Sequence, residues 1–290
     1  MTDNAINLSG VTRRFGSVTA LDEVTTSIKT GQICGLLGSN GAGKTTLMSL
    51  IAGHDQPTDG RVEVHGKRPF ESAAVAAQTC FIRDNQRYPD DYKLTHALRI
   101  APAFHPHWDS DYAQELAENF RLPTKTDTKK FSRGQLSALA ITMTLASRAP
   151  ITIFDEPYLG LDVSARHKFY EVLIEDYTRH PRTIVLSTHL VGEMQSIFDH
   201  VIVLHHGKVH LDAAADDLQS LGYEVSGRAE TVRTWADENA AMTVRAVGSL
   251  ATATFAGPVP SSVPAGLDVR DLPLHDLVAA IGDNQQGVKS

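Results

Sequence analysis

Residues 38–46, GSNGAGKTT, follow directly after the apolar run ICGLL at residues 33–37. They match the pattern Gly38-x-x-x-x-Gly43-Lys44-Thr45, in which glycines let backbone amides turn inward around phosphate oxygens. A helix that begins at the end of such a loop adds unpaired amides and the positive end of its dipole. A buried strand, a glycine loop and a helix in this order predict a P-loop NTPase with an α/β fold.

The loop predicts both a nucleotide and a metal ion. We expect Lys44 to reach the β- and γ-phosphates of a bound nucleotide, and Thr45 to hold Mg²⁺. The residues expected to bind the nucleotide here are Gly38, Ser39, Asn40, Gly41, Ala42, Gly43, Lys44, Thr45 and Thr46.

The rest of the chain has the alternation of a doubly wound sheet. Apolar runs at 151–154, 183–187 and 201–204 lack polar alternation, which is typical of buried parallel strands, and helical patterns separate them. Short β-like runs before residue 37 predict an antiparallel N-terminal subdomain, and a proline-containing helical stretch predicts a helical insertion. We therefore expect a mostly parallel core sheet in a P-loop domain at 1–214, with a helical subdomain at about 87–147. A small α+β appendage is expected at 215–290.

Composition narrows the class of partner. The formal net charge is -7, so the chain carries no basic excess for a nucleic-acid duplex, and we expect no nucleic-acid partner. No run of ~20 apolar residues is present, and the N-terminus lacks the pattern of a signal peptide. Cys34 and Cys80 lie in apolar runs and are expected to be reduced core residues of a cytosolic protein.

Two adjacent carboxylates end the apolar run at 151–154. Asp155 can bind Mg²⁺, directly or through water, and Glu156 can polarise an attacking water as a general base. Two solvated acids at a strand end are the simpler alternative, but a complete P-loop in the same chain weakens it.

Residues 131–135, FSRGQ, precede a long helical pattern and resemble the signature LSGGQ of the ATPase subunits of ATP-binding cassette (ABC) transporters. Phe131 replaces leucine and Arg133 replaces the first glycine, while Ser-x-Gly-Gln is kept. Other family marks follow in order: EPYLGLD at 156–162 resembles the D-loop with Asp162, and Ser187-Thr188-His189 resembles the switch histidine. Arg14-Phe15-Gly16 resembles the aromatic A-loop. The resemblance covers about residues 5–212.

The resemblance implies roles for these residues. The signature residues Ser132, Arg133, Gly134 and Gln135 are expected to contact the ATP of a partner subunit, so that a head-to-tail homodimer encloses two ATP molecules. A heterodimer with another cassette stays open. His189 is expected to sense the γ-phosphate, and Phe15 either stacks on adenine or is a core residue. Tyr158 and Leu159 depart from the commoner EPTSG and are expected at the dimer interface.

The Q-loop position is open between two residues. The family places a glutamine after the strand that holds Phe81 and Ile82, where it touches Mg²⁺ and the attacking water. Counting forward from the strand gives Asp84, whereas counting back from Leu94 gives Gln86. We favour Gln86, because an amide both donates and accepts hydrogen bonds and adds no negative charge beside phosphate.

By resemblance, the expected function is ATP hydrolysis that drives a separate integral membrane permease. The chain would lie in the cytoplasm at the inner face of the membrane, bound through that permease. A single cassette with a C-terminal appendage resembles bacterial exporter ATPases. The alternatives are a soluble ABC-type ATPase acting on ribosomes or DNA, and a P-loop kinase or GTPase.

Overall fold

The computed structural model describes residues 4–83 and 86–283. Within those two ranges, no helix is both long enough and apolar enough to cross a lipid bilayer. Asp84, one of the two candidate Q-loop positions, lies outside the described residues.

An antiparallel sheet forms the N-terminal part of the fold, as the sequence predicts. Its strands stand in the order β2-β1-β4, and they are β1 Asn4–Phe15, β2 Val18–Lys29 and β4 Asp59–Val64. The apolar side chains of one sheet face, among them Ile6, Leu8 and Val62, pack in the same core cluster as Leu47 and Met48 of the first helix.

A six-stranded sheet of order β5-β6-β7-β3-β8-β9 forms the centre of the molecule. The strands are β3 Ile33–Leu37, β5 Thr79–Ile82, β6 Ile151–Asp155, β7 Thr183–Thr188, β8 His200–His205 and β9 Lys208–Ala214. All neighbouring pairs are parallel except β8 and β9. The carboxyl ends of β3, β6 and β7 therefore meet at one edge of the sheet, the usual place for a ligand site in such folds.

Both faces of this sheet are covered by other elements. The evidence is that every residue of β3, β6 and β7 is buried, as expected for parallel strands. Ile151 and Ile153 point into one core cluster, whereas Phe154 and Leu186 point into the other. Cys34 and Cys80 are buried free thiols, as expected. The helices of this part are α1 Lys44–Ile51, α2 Ala73–Ala76, α3 Leu94–Ile100, α4 Ser110–Asn119, α5 Arg133–Ala146, α6 Val163–Arg179 and α7 Val191–Met194.

The predicted helical insertion consists of α3 and α4, which pack with α5. Leu94, Ala117, Phe131 and Leu139 share one small core cluster. Phe131 is 7% exposed, so the phenylalanine that replaces the signature leucine acts as the same kind of apolar anchor. This cluster fixes the start of α5 relative to the insertion.

A second antiparallel sheet follows residue 221, in the order β11-β12-β10-β13. Its elements are β10 Gly222–Arg228, α8 Ala229–Glu238, β11 Thr243–Val247, β12 Leu250–Ala256, β13 Leu267–Asp271 and α9 Leu274–Asp283. The sequence predicts a small α+β appendage here, but it gives no strand pattern for β13, which is short and has three charged residues among five. Helix α9 returns to the ATPase part, where Leu274 packs in the same core cluster as Leu186.

Candidate functional site

The glycine loop lies between β3 and α1 and packs against the backbone of neighbouring segments. Gly38 has φ 142°, and a Cβ atom there would stand 2.2 Å from the carbonyl oxygen of Leu204. Gly43 has φ 107°, and a Cβ there would meet the carbonyl of Ala20 at 2.6 Å. Both contacts are closer than any side chain tolerates, so the loop needs glycine at these two positions.

Lys44 is buried, with 6% of its surface exposed. Its ammonium group donates hydrogen bonds to the carbonyl oxygens of Gly38 at 2.8 Å and Ser39 at 3.2 Å. The loop backbone therefore holds a positive charge inside its own curve, where an incoming phosphate would meet it.

Thr45 and Asp155 meet at the carboxyl edge of the sheet. The Thr45 hydroxyl donates to Asp155 Oδ2 at 2.6 Å, and Ser187 Oγ donates to Asp155 Oδ1 at 2.7 Å. Burial raises the pKa of Asp155; the two hydroxyl bonds and the charge of Lys44 act in the opposite direction. A hydroxyl and a carboxylate oxygen side by side are hard donors, which is the ligand type that Mg²⁺ takes. The residues present therefore fit a magnesium ion.

Glu156 follows directly and is 8% exposed. Its backbone has φ 49°, in the left-handed region that residues other than glycine rarely adopt. Its amide donates to Ser187 Oγ at 2.9 Å. A non-glycine residue in this conformation is typical of functional sites, because the surrounding structure has to offset its strain.

The carboxylate of Glu156 faces two basic side chains. Oε1 lies 3.6 Å from Lys44 Nζ, and Oε2 lies 2.5 Å from Nδ1 of His189. The His189 side chain is 47% exposed, so one side of this pair opens to solvent. The arrangement places a carboxylate and an imidazole next to the phosphate loop, where both can bind and orient a water molecule.

Tyr158 corrects one expectation of the sequence analysis. Rather than lying at a dimer interface, it is 3% exposed and packs in the core of its own chain. Its hydroxyl contacts Glu156, Thr188 and His189. Leu159, the other residue expected at that interface, lines the phosphate-loop cavity and is partly buried.

A cavity of about 450 Å³ joins these groups. It brings together the loop, the β6 carboxylates and the switch histidine, as the sequence analysis predicts. Its lining includes Asn40, Gly41, Gly43, Lys44, Thr45, Thr46, Asp155, Glu156 and His189. The predicted residues that are not part of the lining are Phe15, Gly38, Ser39, Ala42, Gln86, Asp162 and residues 132–135.

Gln86 lines a different cavity that also includes Glu156. This cavity is smaller, about 230 Å³, and Arg87 and Arg133 line it as well. The glutamine favoured for the Q-loop therefore lies near Glu156 but not in the phosphate-loop cavity.

The signature residues form the beginning of α5. Ser132 caps the helix: its hydroxyl accepts from the amide of Gln135 at 3.2 Å, and the Gln135 side chain accepts from the amide of Ser132 at 2.9 Å. Ser132 and Arg133 are exposed, and Gly134 is partly buried, so this helix start faces outward. Asp162 caps α6 in the same way, accepting from the amide of Ala165 at 2.8 Å.

Phe15 is 49% exposed, which rules out the core position that the sequence analysis left open. The Arg13 guanidinium lies over its ring, 4.4 Å from the centroid. An exposed aromatic ring at the end of β1 is available as a stacking platform.

The site also contains residues that the sequence analysis did not assign. Ser187 links Asp155 to the Glu156 backbone, and Thr188 donates to Tyr158 at 3.0 Å. The only sequence signal for the two hydroxyl residues is their position directly before His189. Tyr158 is marked in the sequence by its departure from the usual threonine.

The largest cavity described, of about 880 Å³, lies away from this chemistry. Its lining includes Thr30, Asp109, Arg148 and His180, and none of the predicted site residues. Two of its charged groups already pair with each other, because Arg148 contacts Asp109 at 3.0 Å. Size alone therefore does not identify the functional site.

Comparison with known proteins agrees with this geometry. Residues 21–159 match the sequence family described as ABC transporter. The spermidine/putrescine import ATP-binding protein PotA of Pseudomonas aeruginosa (strain UCBPP-PA14) is 32% identical over 233 residues, covering 73% of this chain and 60% of PotA. The chain thus spans less than two thirds of the length of that relative.

Solved structures share the fold. The structure of an ATP-binding subunit of an ABC transporter superposes with a TM-score of 0.68 at 26% identity, covering 74% of this chain and 92% of that one. A dimeric ATP-binding cassette in a post-hydrolysis state, bound to ADP and phosphate, gives a TM-score of 0.63 at 22% identity. The superposition covers 72% of this chain and 98% of the dimeric cassette. At 22% identity this similarity supports the fold alone. The ordered motifs, the fold and the relatives agree, and the chain belongs to the ABC transporter family as an ATP-binding subunit.

Proposed function

We propose that this chain binds ATP in the phosphate-loop cavity and hydrolyses it to drive a separate membrane permease. One observation carries the proposal: Lys44, Asp155, Glu156 and His189 line a single cavity at the carboxyl edge of the core sheet. A cation for phosphate, a carboxylate for a metal ion and a carboxylate for water are the parts that phosphoryl transfer to water requires.

Lys44 and the loop amides bind the β- and γ-phosphates. Lys44 already lies inside the loop on the carbonyls of Gly38 and Ser39, so little rearrangement is needed when phosphate oxygens arrive. Thr45 and Asp155 would hold Mg²⁺, and Gln86 is the third proposed ligand. When bound, the ion offsets the negative charge of the phosphates.

Glu156 acts as the general base. A water molecule gives a proton to Oε1 of Glu156, and its oxygen forms a bond to the γ-phosphorus. The bond from that phosphorus to the bridging oxygen breaks, and ADP leaves with the electron pair. His189 contacts Glu156 and lines the same cavity, so its imidazole would orient the water and the γ-phosphate there.

The partner of this reaction is a second cassette. The start of α5 faces outward and presents Ser132 and the amides of Arg133 and Gly134, which suits an anionic group brought by another subunit. A head-to-tail homodimer would place this helix start over the partner's ATP, with Asp162 beside it. The dimeric cassette reported above supports pairing as a property of the fold.

Within the chain, we assign the ATPase to residues 1–214 and the contact with the permease to the helical subdomain at about 87–147. Residues 215–290 contain none of the proposed site residues. The chain would then lie at the inner face of the membrane through its permease. Export was expected from the single cassette and the appendage, but PotA is named as an import protein, so the proposal specifies transport without a direction.

Two measurements test this proposal. The purified chain is expected to release phosphate from ATP only when Mg²⁺ is present. When membranes of the organism that makes this protein are solubilised in mild detergent, a tagged chain is expected to co-purify with an integral membrane protein. Co-sedimentation with ribosomes or retention on DNA, with no membrane partner, would contradict the transport function and favour the soluble alternative.

A further inference from the structure

The hydroxyl of Tyr158 is the centre of the hydrogen-bond network around Glu156. It donates to Glu156 Oε2 at 3.1 Å and lies 3.0 Å from Nδ1 of His189. It also accepts from the Thr188 hydroxyl at 3.0 Å and from the His189 amide at 2.9 Å. Four polar groups from two strand ends thus converge on one buried oxygen.

The hydrogen-bonding capacity of this hydroxyl determines which group receives its proton as a hydrogen bond. A phenolic oxygen has one proton to donate and two lone pairs that accept. Thr188 and the His189 amide occupy both lone pairs. The imidazole therefore cannot donate a hydrogen bond to Tyr158 as well. A protonated Nδ1 donates its hydrogen bond to Glu156 Oε2, 2.5 Å away, and the tyrosine hydroxyl donates to the same oxygen.

This distribution makes the two oxygens of Glu156 unequal. Oε2 receives both Tyr158 and His189, whereas Oε1 lies towards Lys44 in the phosphate-loop cavity. One oxygen is anchored, and the other faces the position where phosphate and water would bind.

We propose that Tyr158 is a positioning residue: its hydroxyl holds Oε2 of Glu156 against His189, so that Oε1 faces the attacking water. This inference rests on the ATPase function proposed above. Tyr158 does not line the phosphate-loop cavity, so it acts through Glu156 and His189.

The ring of Tyr158 has a separate task. It packs in the core cluster and makes an edge contact with the imidazole of His189, with the ring centroids 5.5 Å apart and an interplanar angle of 65°. Phenylalanine retains this packing and removes only the hydroxyl. Tyr158→Phe is therefore the variant that separates positioning from packing.

The test compares Tyr158→Phe with Tyr170→Phe. Tyr170 also donates its hydroxyl to a carboxylate, that of Glu193 at 3.1 Å, but it lies outside the site. For Tyr158→Phe we expect kcat for ATP hydrolysis to fall about 10- to 100-fold, the range set by a hydrogen bond to a charged group, with KM unchanged. Tyr170→Phe is expected to keep the wild-type kcat.

A double-mutant cycle with Glu156→Gln adds a second readout. If Tyr158 acts through Glu156, Tyr158→Phe causes no further loss of kcat in the Glu156→Gln background. A purely structural role would lower the melting temperature and would add its loss of activity in both backgrounds.

A spectroscopic measurement on the wild-type chain keeps the inference testable even if Tyr158→Phe does not fold. With labelled tyrosine and histidine, we expect a slowly exchanging Tyr158 hydroxyl proton with a nuclear Overhauser contact to the His189 ring. A freely exchanging hydroxyl would overturn the inference, and so would a folded Tyr158→Phe with wild-type kcat. A wild-type chain that binds ATP but never hydrolyses it would instead contradict the proposed function.

Discussion

At the scale of single residues, Lys44 is a buried cation in the cavity where we propose that phosphate binds. A lysine that is 6% exposed is costly to bury unless its charge is compensated, and two loop carbonyls and the Glu156 carboxylate provide the compensation here. When ATP binds, its phosphates become the stronger partners of this cation. The lysine is therefore held in position before the nucleotide arrives.

Lys44→Ala removes that cation and should weaken ATP binding by roughly 10-fold or more, since hydrogen bonds to charged groups contribute about 1.5–3 kcal/mol. Isothermal titration calorimetry on the purified variant measures the change. The control is Lys168→Ala, which removes a lysine with a 41% exposed side chain from α6 and should leave ATP affinity unchanged. Equal affinities of Lys44→Ala and the wild-type chain would mean that the phosphates bind elsewhere.

Single residues also show where prediction from sequence ends. Lys44, Thr45, Asp155 and Glu156 could be placed in one site from residue type and spacing, because a glycine loop and a strand end carry them. His189 could be placed there only through the family resemblance. The structure brings all five to one cavity. The role of the Tyr158 hydroxyl could not be predicted, because it depends on three residues that come together only when β6 and β7 pair in register. A departure from a family pattern marks such a position, but it does not tell what the side chain contacts.

At the scale of secondary-structure elements, a group of charged side chains joins α4, α6 and the segment after α5. Arg148 contacts both Asp109 at the start of α4 and Asp176 on α6, and Arg182 pairs with Asp176 at 2.6 Å. Asp176 is 2% exposed and lies between the two guanidinium groups. Because a buried charge without a partner is strongly destabilising, these contacts fix the helical insertion relative to the core.

The pKa of Asp109 predicts how this contact responds to acid. Burial acts to raise the pKa of Asp109, but the Tyr112 amide and the hydrogen bonds and charge of Arg148 outweigh it and hold the pKa below its usual value. The resulting stabilisation is present in full above the unfolded pKa of about 3.9 and is lost as the pH falls through the lower folded value.

Asp109→Asn keeps a residue that caps α4 and removes the charge beside Arg148. We expect the variant to unfold at lower urea concentration than the wild type at pH 7, with a difference that shrinks steadily below about pH 4. Asp111→Asn, in the same helical turn, controls for the helix dipole and should change stability much less. A difference between Asp109→Asn and the wild type that does not change with pH would contradict this role of Arg148.

At the scale of the whole molecule, the C-terminal appendage is joined to the ATPase part through α9. Leu274 is 5% exposed and packs in the core cluster that contains Tyr158 and Met194. The sequence analysis placed a boundary at residue 214 from a change in composition. Helix α9 lies about 60 residues beyond that boundary, and its contact with the core depends on tertiary packing. Local composition carries no signal of such a contact, so the connection could not be predicted.

Leu274→Ala should therefore destabilise the ATPase part by about 2–4 kcal/mol, in the range found for leucine truncation in a core. Urea unfolding followed by a probe in the core sheet measures the effect. Leu250→Ala is the matched control, because Leu250 is 60% exposed on the appendage sheet and its loss should change stability by less than about 0.5 kcal/mol. If both variants unfold like the wild type, the appendage does not stabilise the core.

The fold as a whole was the part most open to prediction. Apolar runs without alternation predicted the buried parallel strands, and the glycine loop fixed which strand precedes the site. Strand β13 was not predicted, because three of its five residues are charged and a proline-rich segment precedes it, which gives a weak strand pattern.

The most direct test of the account is ATP turnover by Glu156→Gln, measured together with ATP-dependent dimerisation. Glutamine keeps the size of the side chain and removes the base, so kcat should fall by about 10²–10⁴-fold. Light scattering or gel filtration with ATP and Mg²⁺ should still show a dimer, because Lys44 and the helix start at Ser132 are unchanged. A Glu156→Gln variant that hydrolyses ATP at the wild-type rate would contradict the central claim.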